Sequence, residues 1–315
     1  MFAEVGLVFD MSMSQHDTGK GHPESAERLN HIKKGLNTSK LIEKLYPIQT
    51  SLAGDDWILS VHTPEYLEIV KQSVAKKLKT LPTGDVQLSN ESLTVARKAV
   101  GGVLNACDAV MNKKVKRAFC ALRPPGHHAE PNKGMGFCIF NNVAIAARYL
   151  QKKHNLKRIL IIDWDVHHGN GTHAAFREDP TVFDFHVHQD PRTIYPGTGF
   201  AHEKGVGKGK GFSKHVPLPP GSGDVEVLKV LNNDLAEVRE KFKPEFILIS
   251  AGFDMYKSDP LGGLKVSQEG FVAMTKAVKV MADKYCEGKL ISVLEGGYSV
   301  KALTEVVPAH VEALF

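Results

Sequence analysis

Paired cysteines are missing from this sequence. The four present, Cys107, Cys120, Cys138 and Cys286, are scattered, and no two form a CxxC pair. That argues against a disulfide framework and fits a reducing compartment, with the thiols serving as small buried apolar groups. Long apolar runs are missing too, and none approaches membrane-spanning length. The opening MFAEVGLVFDMSMSQ has no basic n-region and no extended apolar h-region, so no signal peptide is expected and the protein is read as soluble and cytoplasmic. Charge of one sign is scarce: 40 Lys and Arg against 35 Asp and Glu leave +5. The densest basic runs, NKKVKR (112–117) and AKKLKT (75–80), read as solvated helix ends or turns, not as a nucleic-acid face. GVGKGKG (205–211) fits neither GxGxxG nor the Walker pattern and reads as a flexible loop. No repeat or low-complexity linker divides the chain, so one domain is expected over 1–315.

What is present is alternation. Near-continuous apolar runs at 5–10, 117–123, 158–163, 182–188, 246–252 and 290–296 predict strands covered on both faces. Between them, 92–111, 141–154, 224–242 and 267–285 carry apolar residues at helical spacing. This order predicts an α/β fold of three layers, a central, mostly parallel sheet flanked by helices. In such folds ligands gather at the carboxyl ends of the strands. Four strand ends here run into polar sequence: PPGHHAE, WDVHHGNGT, FDMYKSDPLGG and GYS.

The segment DWDVHHGNGT (163–172) sets carboxylates and imidazoles directly after an apolar strand, where desolvating them is costly without a partner. Asp165 and His167 are two apart, so in extended backbone they project to the same side. An oxygen and a nitrogen ligand held that way suit a zinc-type ion, and Asp254 at another strand end is the natural third. Three protein ligands leave a position for water and substrate, the pattern of a catalytic metal. Taken alone, DxH also describes a capping aspartate and a core histidine. The histidine pair and Asp254 at neighbouring strand ends favour the metal. His127 and His128 suit general acid–base work. Asp163 and Asn170 are candidates to orient them, although Asp163 also suits a backbone-bonding role or a monovalent-cation site. Tyr298, after two glycines, is placed to stabilise an oxyanion. Phe137 and Tyr195, in glycine-bearing loops, fit aromatic walls as well as they fit a core.

The blocks GHPESAERL (21–29), RPPGHHA, GFCIFNN, DWDVHHGNGT, YPGTG, SAGFDMYKSDPLGG and LEGGYS resemble, in order and over nearly the whole chain, the zinc-dependent superfamily of histone deacetylases, acetylpolyamine amidohydrolases and acetoin-utilisation proteins, with LEGGY and HHGNG closer to its class II branch and bacterial relatives. The resemblance implies an arginase-like fold and hydrolysis of an N-acetyl amide to acetate and a free amine, with acetylated lysine in proteins or acetylated small amines as substrates and sensitivity to hydroxamates. It implies that Asp165, His167 and Asp254 bind one Zn2+. His127 and His128 match the catalytic pair, His128 the proton carrier, and Tyr298 the oxyanion-stabilising phenol. Phe137, with Gly136 before it, and Tyr195 match the channel walls, Leu261 the gate and Asp85 the rim. It implies structural K+ at Asp163, Asp165 and His167 with Asp184 and Phe185, and at Phe176, Asp179, Val182 and Phe212. Asp184 stands where many relatives carry a serine, and Tyr195 where phenylalanine is commoner. A two-manganese amidinohydrolase would want more carboxylates than DWDVHHGN offers, and a non-catalytic acyl-lysine binder would lack Tyr298 or the histidine pair. Leu261, an apolar gate, favours acetyl-lysine over polyamines.

Overall fold

The computed structural model describes residues 3–315; Met1 and Phe2, included in the expected 1–315 domain, lie outside them. Among the described residues, eight strands form one sheet: β1 (Ala3–Phe9), β2 (Tyr46–Ile48), β3 (Val115–Ala121), β4 (Ile159–Asp163), β5 (Val182–Gln189), β6 (Ser213–Leu218), β7 (Phe246–Ala251) and β8 (Leu290–Leu294). Their order is β2-β1-β3-β8-β7-β4-β5-β6, and every pairing is parallel. The sheet is thus wholly parallel. Each run expected to be a strand is one, within two residues at either end. β4, β7 and β8 are buried at every position, which explains their unbroken apolar sequence.

Nine helices of the described residues flank the sheet: α1 (Glu27–Thr38), α2 (Asp55–Ile58), α3 (Pro64–Ala75), α4 (Ser92–Met111), α5 (Asn142–His154), α6 (Asn170–Phe176), α7 (Asp224–Phe242), α8 (Gln268–Tyr285) and α9 (Val307–Ala313). α4 packs on α5, and α8 packs between α7 and α9. Caps fix several starts. Asn141 accepts from the Ala144 N–H ahead of α5, and Ser267 from the Gly270 N–H ahead of α8.

The topology brings the polar segments together. The chain leaves β3 and resumes at β4, and β7 and β8 later fill the gap. The four central strands β3, β8, β7 and β4 therefore end side by side. Their carboxyl ends carry PPGHHAE, GYS, FDMYKSDPLGG and WDVHHGNGT respectively.

A buried ion network braces this rim. The Glu24 carboxylate, fully buried, accepts from Arg123 Nε at 2.6 Å and Nη2 at 2.9 Å, and from Arg28 Nη1 at 3.3 Å. Burial alone would raise its pKa, but the Arg123 and Arg28 guanidiniums hold it at about 2, against an ordinary 4.5. A carboxylate depressed on folding stabilises the fold above its unfolded pKa, and that contribution is lost as pH falls from 4.5 toward 2. The difference corresponds to about 3 kcal/mol. Glu24→Gln is expected to lower urea stability at pH 7 by about 3–5 kcal/mol, since it leaves buried guanidiniums unpaired. The gap to the natural chain should narrow below pH 4.5. A gap constant down to pH 3 would show that the carboxylate charge is not what the network uses.

Candidate active site

Asp165 and His167 lie just past β4, and Asp254 lies just past β7. The register of the two strands puts Asp163 opposite Ser250, so the two loops meet. One ligand atom from each of Asp165, His167 and Asp254 lies within 4.8 Å of the others. His167 Nδ1 is 3.0 Å from Asp165 Oδ1 and 3.3 Å from Asp254 Oδ2. The outer oxygens are held from behind: Val166 N–H donates to Asp254 Oδ1 at 2.9 Å and Gly296 N–H to Asp165 Oδ2 at 2.8 Å. Gly296 is obligatory here, because a Cβ at that position would overlap both carboxylates.

Both carboxylates are buried. Burial raises the Asp254 carboxyl, and the Asp165 charge raises it further. Burial also opposes a charge on Asp165, yet the His127 and His167 imidazoles keep it ionised. Asp254 Oδ2 has no hydrogen-bond partner among the described residues. Two buried carboxylates and an imidazole, with one oxygen orphaned, match the donor set of a catalytic zinc-type ion, which would resolve their repulsion.

His127 and His128 stand beside this triad with ring centroids 4.0 Å apart. Their backs are tied differently. Asp163 Oδ2 lies 3.0 Å from His127 Nδ1, and Asn170 Oδ1 2.8 Å from His128 Nδ1. The Asn170 amide is itself oriented, since its Nδ2 donates to Glu130 Oε1 at 2.7 Å. Its oxygen therefore faces His128, which fixes Nδ1 as the protonated nitrogen and leaves Nε2 as the base. The two pKa values diverge. Burial opposes charge on His127, but Asp165 and Asp163 push it up to about 10. Burial, then the charges of His127 and His167, push His128 well below its ordinary value. The surroundings thus favour charge on His127 and neutrality on His128, the kind of division that acid–base chemistry uses.

A cavity of about 310 Å³ opens above the triad. His127, His128, His167 and Tyr298 form its floor, Gly136, Phe137 and Tyr195 its walls, and Asp85 and Leu261 also line it. Gly136 and Phe137 both have positive φ, 56° and 66°. A Cβ on Gly136 would strike the His128 ring, so only glycine lets this wall close on the base. Asp85 Oδ1 accepts from the Gly136 N–H at 2.7 Å, which ties the rim to the wall.

Three further residues hold this site together. Asp259 accepts from the Tyr298, Ser299 and Leu261 N–H groups at 2.7, 3.0 and 3.0 Å. Arg28 lies over the Tyr298 ring at 5.1 Å and donates to the Gly297 carbonyl at 2.9 Å. Glu295 accepts from the Gly126 and His127 N–H groups at 2.7 and 3.1 Å. They fall within SAGFDMYKSDPLGG, GHPESAERL and LEGGYS, but nothing local marks what each one holds. Asp259→Ala is expected to lower kcat about tenfold with bound zinc unchanged, as an oriented supporting group does; loss of zinc would make Asp259 part of the metal centre instead.

Among the residues expected to hold potassium, Asp163 ends β4 and Asp165 and His167 follow it. The Phe176 carbonyl accepts from the Asp179 N–H and the Phe212 carbonyl from the Asp184 N–H, at 2.8 and 3.1 Å. The Asp179 carboxylate is engaged by Arg148 and Thr181, and Val182 begins β5. The placement of Asp184 beside Asp163 needs correction. In the β4–β5 register Asp163 faces His186, Phe185 is opposite Ile162, and Asp184 is opposite Ile161. The Asp184 carboxylate instead accepts from Ser213 Oγ at 2.7 Å and lies 3.0 Å from His173 Nδ1. Parallel pairing advances one residue at a time, so a two-residue offset along β5 moves the side chain a full pleat away.

Comparison with known proteins agrees with this geometry. The histone deacetylase domain family matches residues 22–314. A probable deacetylase of Archaeoglobus fulgidus is 40% identical over 302 residues, 94% of this chain and 82% of that protein. The chloroplastic histone deacetylase 14 of Arabidopsis thaliana is 35% identical over 330 residues, 99% of this chain and 77% of that protein. The crystal structure of the HDA15 HD domain superposes with a TM-score of 0.93 at 32% identity, covering all of this chain and 88% of that one.

Proposed function

This chain belongs to the histone deacetylase family, and on that premise we propose that it is a zinc-dependent amidohydrolase that removes acetyl groups from lysine side chains. The observation that carries the proposal is the meeting of the Asp165, His167 and Asp254 donors with the His127–His128 pair at one cavity lined by Phe137 and Tyr195. A zinc ion held by those three residues supplies Lewis acidity toward the acyl carbonyl and toward water.

The protein's own groups do the rest. His128 Nε2 accepts the proton of the attacking water, its Nδ1–H held by Asn170. Tyr298 donates its hydroxyl to the developing oxyanion; burial pushes the phenol well above its ordinary pKa, so it stays a donor. His127, charged against Asp163, stabilises negative charge across the same step. A histidine then protonates the leaving amine. Phe137 and Tyr195 exclude water from the alkyl stem, and Leu261, at the cavity's lining, offers no carboxylate to a second ammonium. The family's structural K+ is carried over as part of this reading. No helix of the described residues is long and apolar enough to cross a membrane. All four cysteines are free and buried, which supports a reducing, cytoplasmic setting.

A turnover panel tests the reading: zinc-loaded protein with an acetyl-lysine peptide, acetylspermidine, acetylputrescine and a longer acyl-lysine, each with and without a hydroxamate. Hydroxamate-sensitive cleavage of the peptide is expected. Cleavage of the polyamines alone would keep the chemistry and overturn the assignment of Leu261. No turnover of any substrate, with zinc bound, would turn the proposal toward an acyl-lysine binder.

A further inference from the structure

Beyond Asp163, toward the β6 edge, lies a second cluster that the proposed reaction does not use. His168 follows β4 and His173 stands on α6. Asp184, His186 and His188 alternate along β5, so they share a face, and His215 sits on β6 opposite His186. The His215 ring centroid is 4.9 Å from His186, 4.7 Å from His168 and 4.6 Å from His173, and His168 lies 5.2 Å from His188. Apart from His173, which is partly exposed, the other five side chains are buried.

Their hydrogen bonds do not close. His168 Nδ1 meets Thr198 Oγ1 at 2.8 Å, and His188 Nδ1–H donates to the Gln189 carbonyl at 2.8 Å. His168 Nε2, His188 Nε2, and both ring nitrogens of His186 and of His215 have no hydrogen-bond partner among the described residues. Protonating them would set imidazolium charges about 5 Å apart in a desolvated space. Left neutral, each ring presents an unused lone pair and buried polar atoms that cost stability. Neither state explains five histidines in one place.

A d-block cation does explain them. Ligand atoms of His168, His186 and His215 lie within 4.8 Å of one another, as do those of His173, Asp184 and His215. Zinc-type ions bind imidazole nitrogen at about 2.0–2.1 Å, so small ring rotations bring such atoms onto one ion. The supporting bonds are already made: Thr198 holds the far nitrogen of His168, and Ser213 Oγ donates to Asp184 Oδ1 at 2.7 Å, while Oδ2 meets His173 Nδ1 at 3.0 Å and lies 3.3 Å from His186 Nε2. Imidazole donors select zinc, copper, nickel or iron over alkali and alkaline-earth ions, which prefer oxygen.

We propose that His168, His186 and His215, with Asp184 and His173 beside them, hold one divalent transition-metal ion distinct from the Asp165–His167–Asp254 centre. The ion ties β4, β5, β6 and α6 together. It also borders the reaction site, because His186 Nδ1 lies 3.6 Å from Asp163 Oδ2, the same oxygen that holds His127.

The test is metal stoichiometry. The full chain is stripped with a chelator, re-equilibrated with Zn2+, dialysed, and its zinc counted by mass spectrometry. Two ions per chain are expected, falling to one in His215→Gln, one in His186→Ser and one in Asp254→Asn. One ion in the natural chain, lost in Asp254→Asn and retained in both histidine variants, would overturn the second site. So would two ions that neither histidine variant reduces. Two ions retained in Asp254→Asn would count instead against the catalytic centre, so the two readings fail separately. Should the histidine variants not fold, Co2+-loaded Asp254→Asn decides the matter by proton NMR. Hyperfine-shifted ring N–H signals from at least two histidines are expected; signals from none, or from His167 alone, would sink the proposal.

Discussion

Tyr298→Phe is expected to lower kcat on an acetyl-lysine peptide about 100- to 1,000-fold, the cost of removing one oxyanion donor. KM and zinc content should stay near those of the natural chain. The substitution removes one oxygen and nothing that holds the loop. The Tyr298 and Ser299 N–H groups still donate to Asp259. Arg28 still stacks over the ring, and Phe137 still meets it edge-on with centroids 6.2 Å apart. The three candidate metal ligands are untouched. A loss shared equally between kcat and kcat/KM would identify an interaction made only in the transition state. Unchanged kcat would remove the phenol from the chemistry, and loss of zinc would mean that the substitution had disturbed the floor of the site.

The central strands were legible because a parallel strand covered on both faces needs apolar residues at every position, and β4, β7 and β8 meet that demand. The edge strands were not. β2 is three residues long with a proline at its centre, YPI, and β6 reads SKHVPL. An edge strand has one unpaired side, tolerates proline and needs little apolar run, so neither stands out from a loop. α1 and α3 were also unmarked, while α4 and α7, with longer amphipathic patterns, begin and end where the spacing predicts.

Asp165, His167 and the histidine pair were legible for a different reason: their residues crowd within a few positions at strand ends, and Asp254 stands out as an acidic residue at the end of another apolar strand. What could not be read is whatever depends on the pairing of distant strands. The five clustered histidines span residues 168 to 215 and come together only because β6 pairs with β5 and β5 with β4. The same pairing corrects the place of Asp184. Glu24, Arg28 and Arg123 lie in ordinary-looking segments, and only the return of the chain through β8 brings Arg28 against the loop carrying Tyr298.

Asp254→Asn is expected to abolish turnover, with a fall of at least about 1,000-fold, the scale of losing a metal's charge stabilisation, and to make the metal-free protein more stable. The two effects share a cause. Asp254 and Asp165 sit buried within reach of the same His167 nitrogen, and Asp254 Oδ2 has no hydrogen-bond donor among the described residues. Burial, and then the Asp165 charge, raise the Asp254 carboxyl above its ordinary value. A carboxyl raised on folding is more easily ionised in the unfolded chain, so its charge opposes folding above the folded pKa, and the penalty disappears as pH falls below the unfolded value. An amide keeps an acceptor for the Val166 N–H and turns a donor toward Asp165, without the second charge. After chelation at about pH 8, the variant should therefore melt a few degrees above the natural chain, and the difference should vanish near about pH 4. Added zinc should reverse the order, since a ligand that binds only the folded state stabilises it in proportion to its affinity, and the natural chain should rise further than the variant. If the metal-free variant instead melts lower in alkaline buffer, the carboxylate is satisfied by protein groups alone, and the argument that this triad is built around a cation fails.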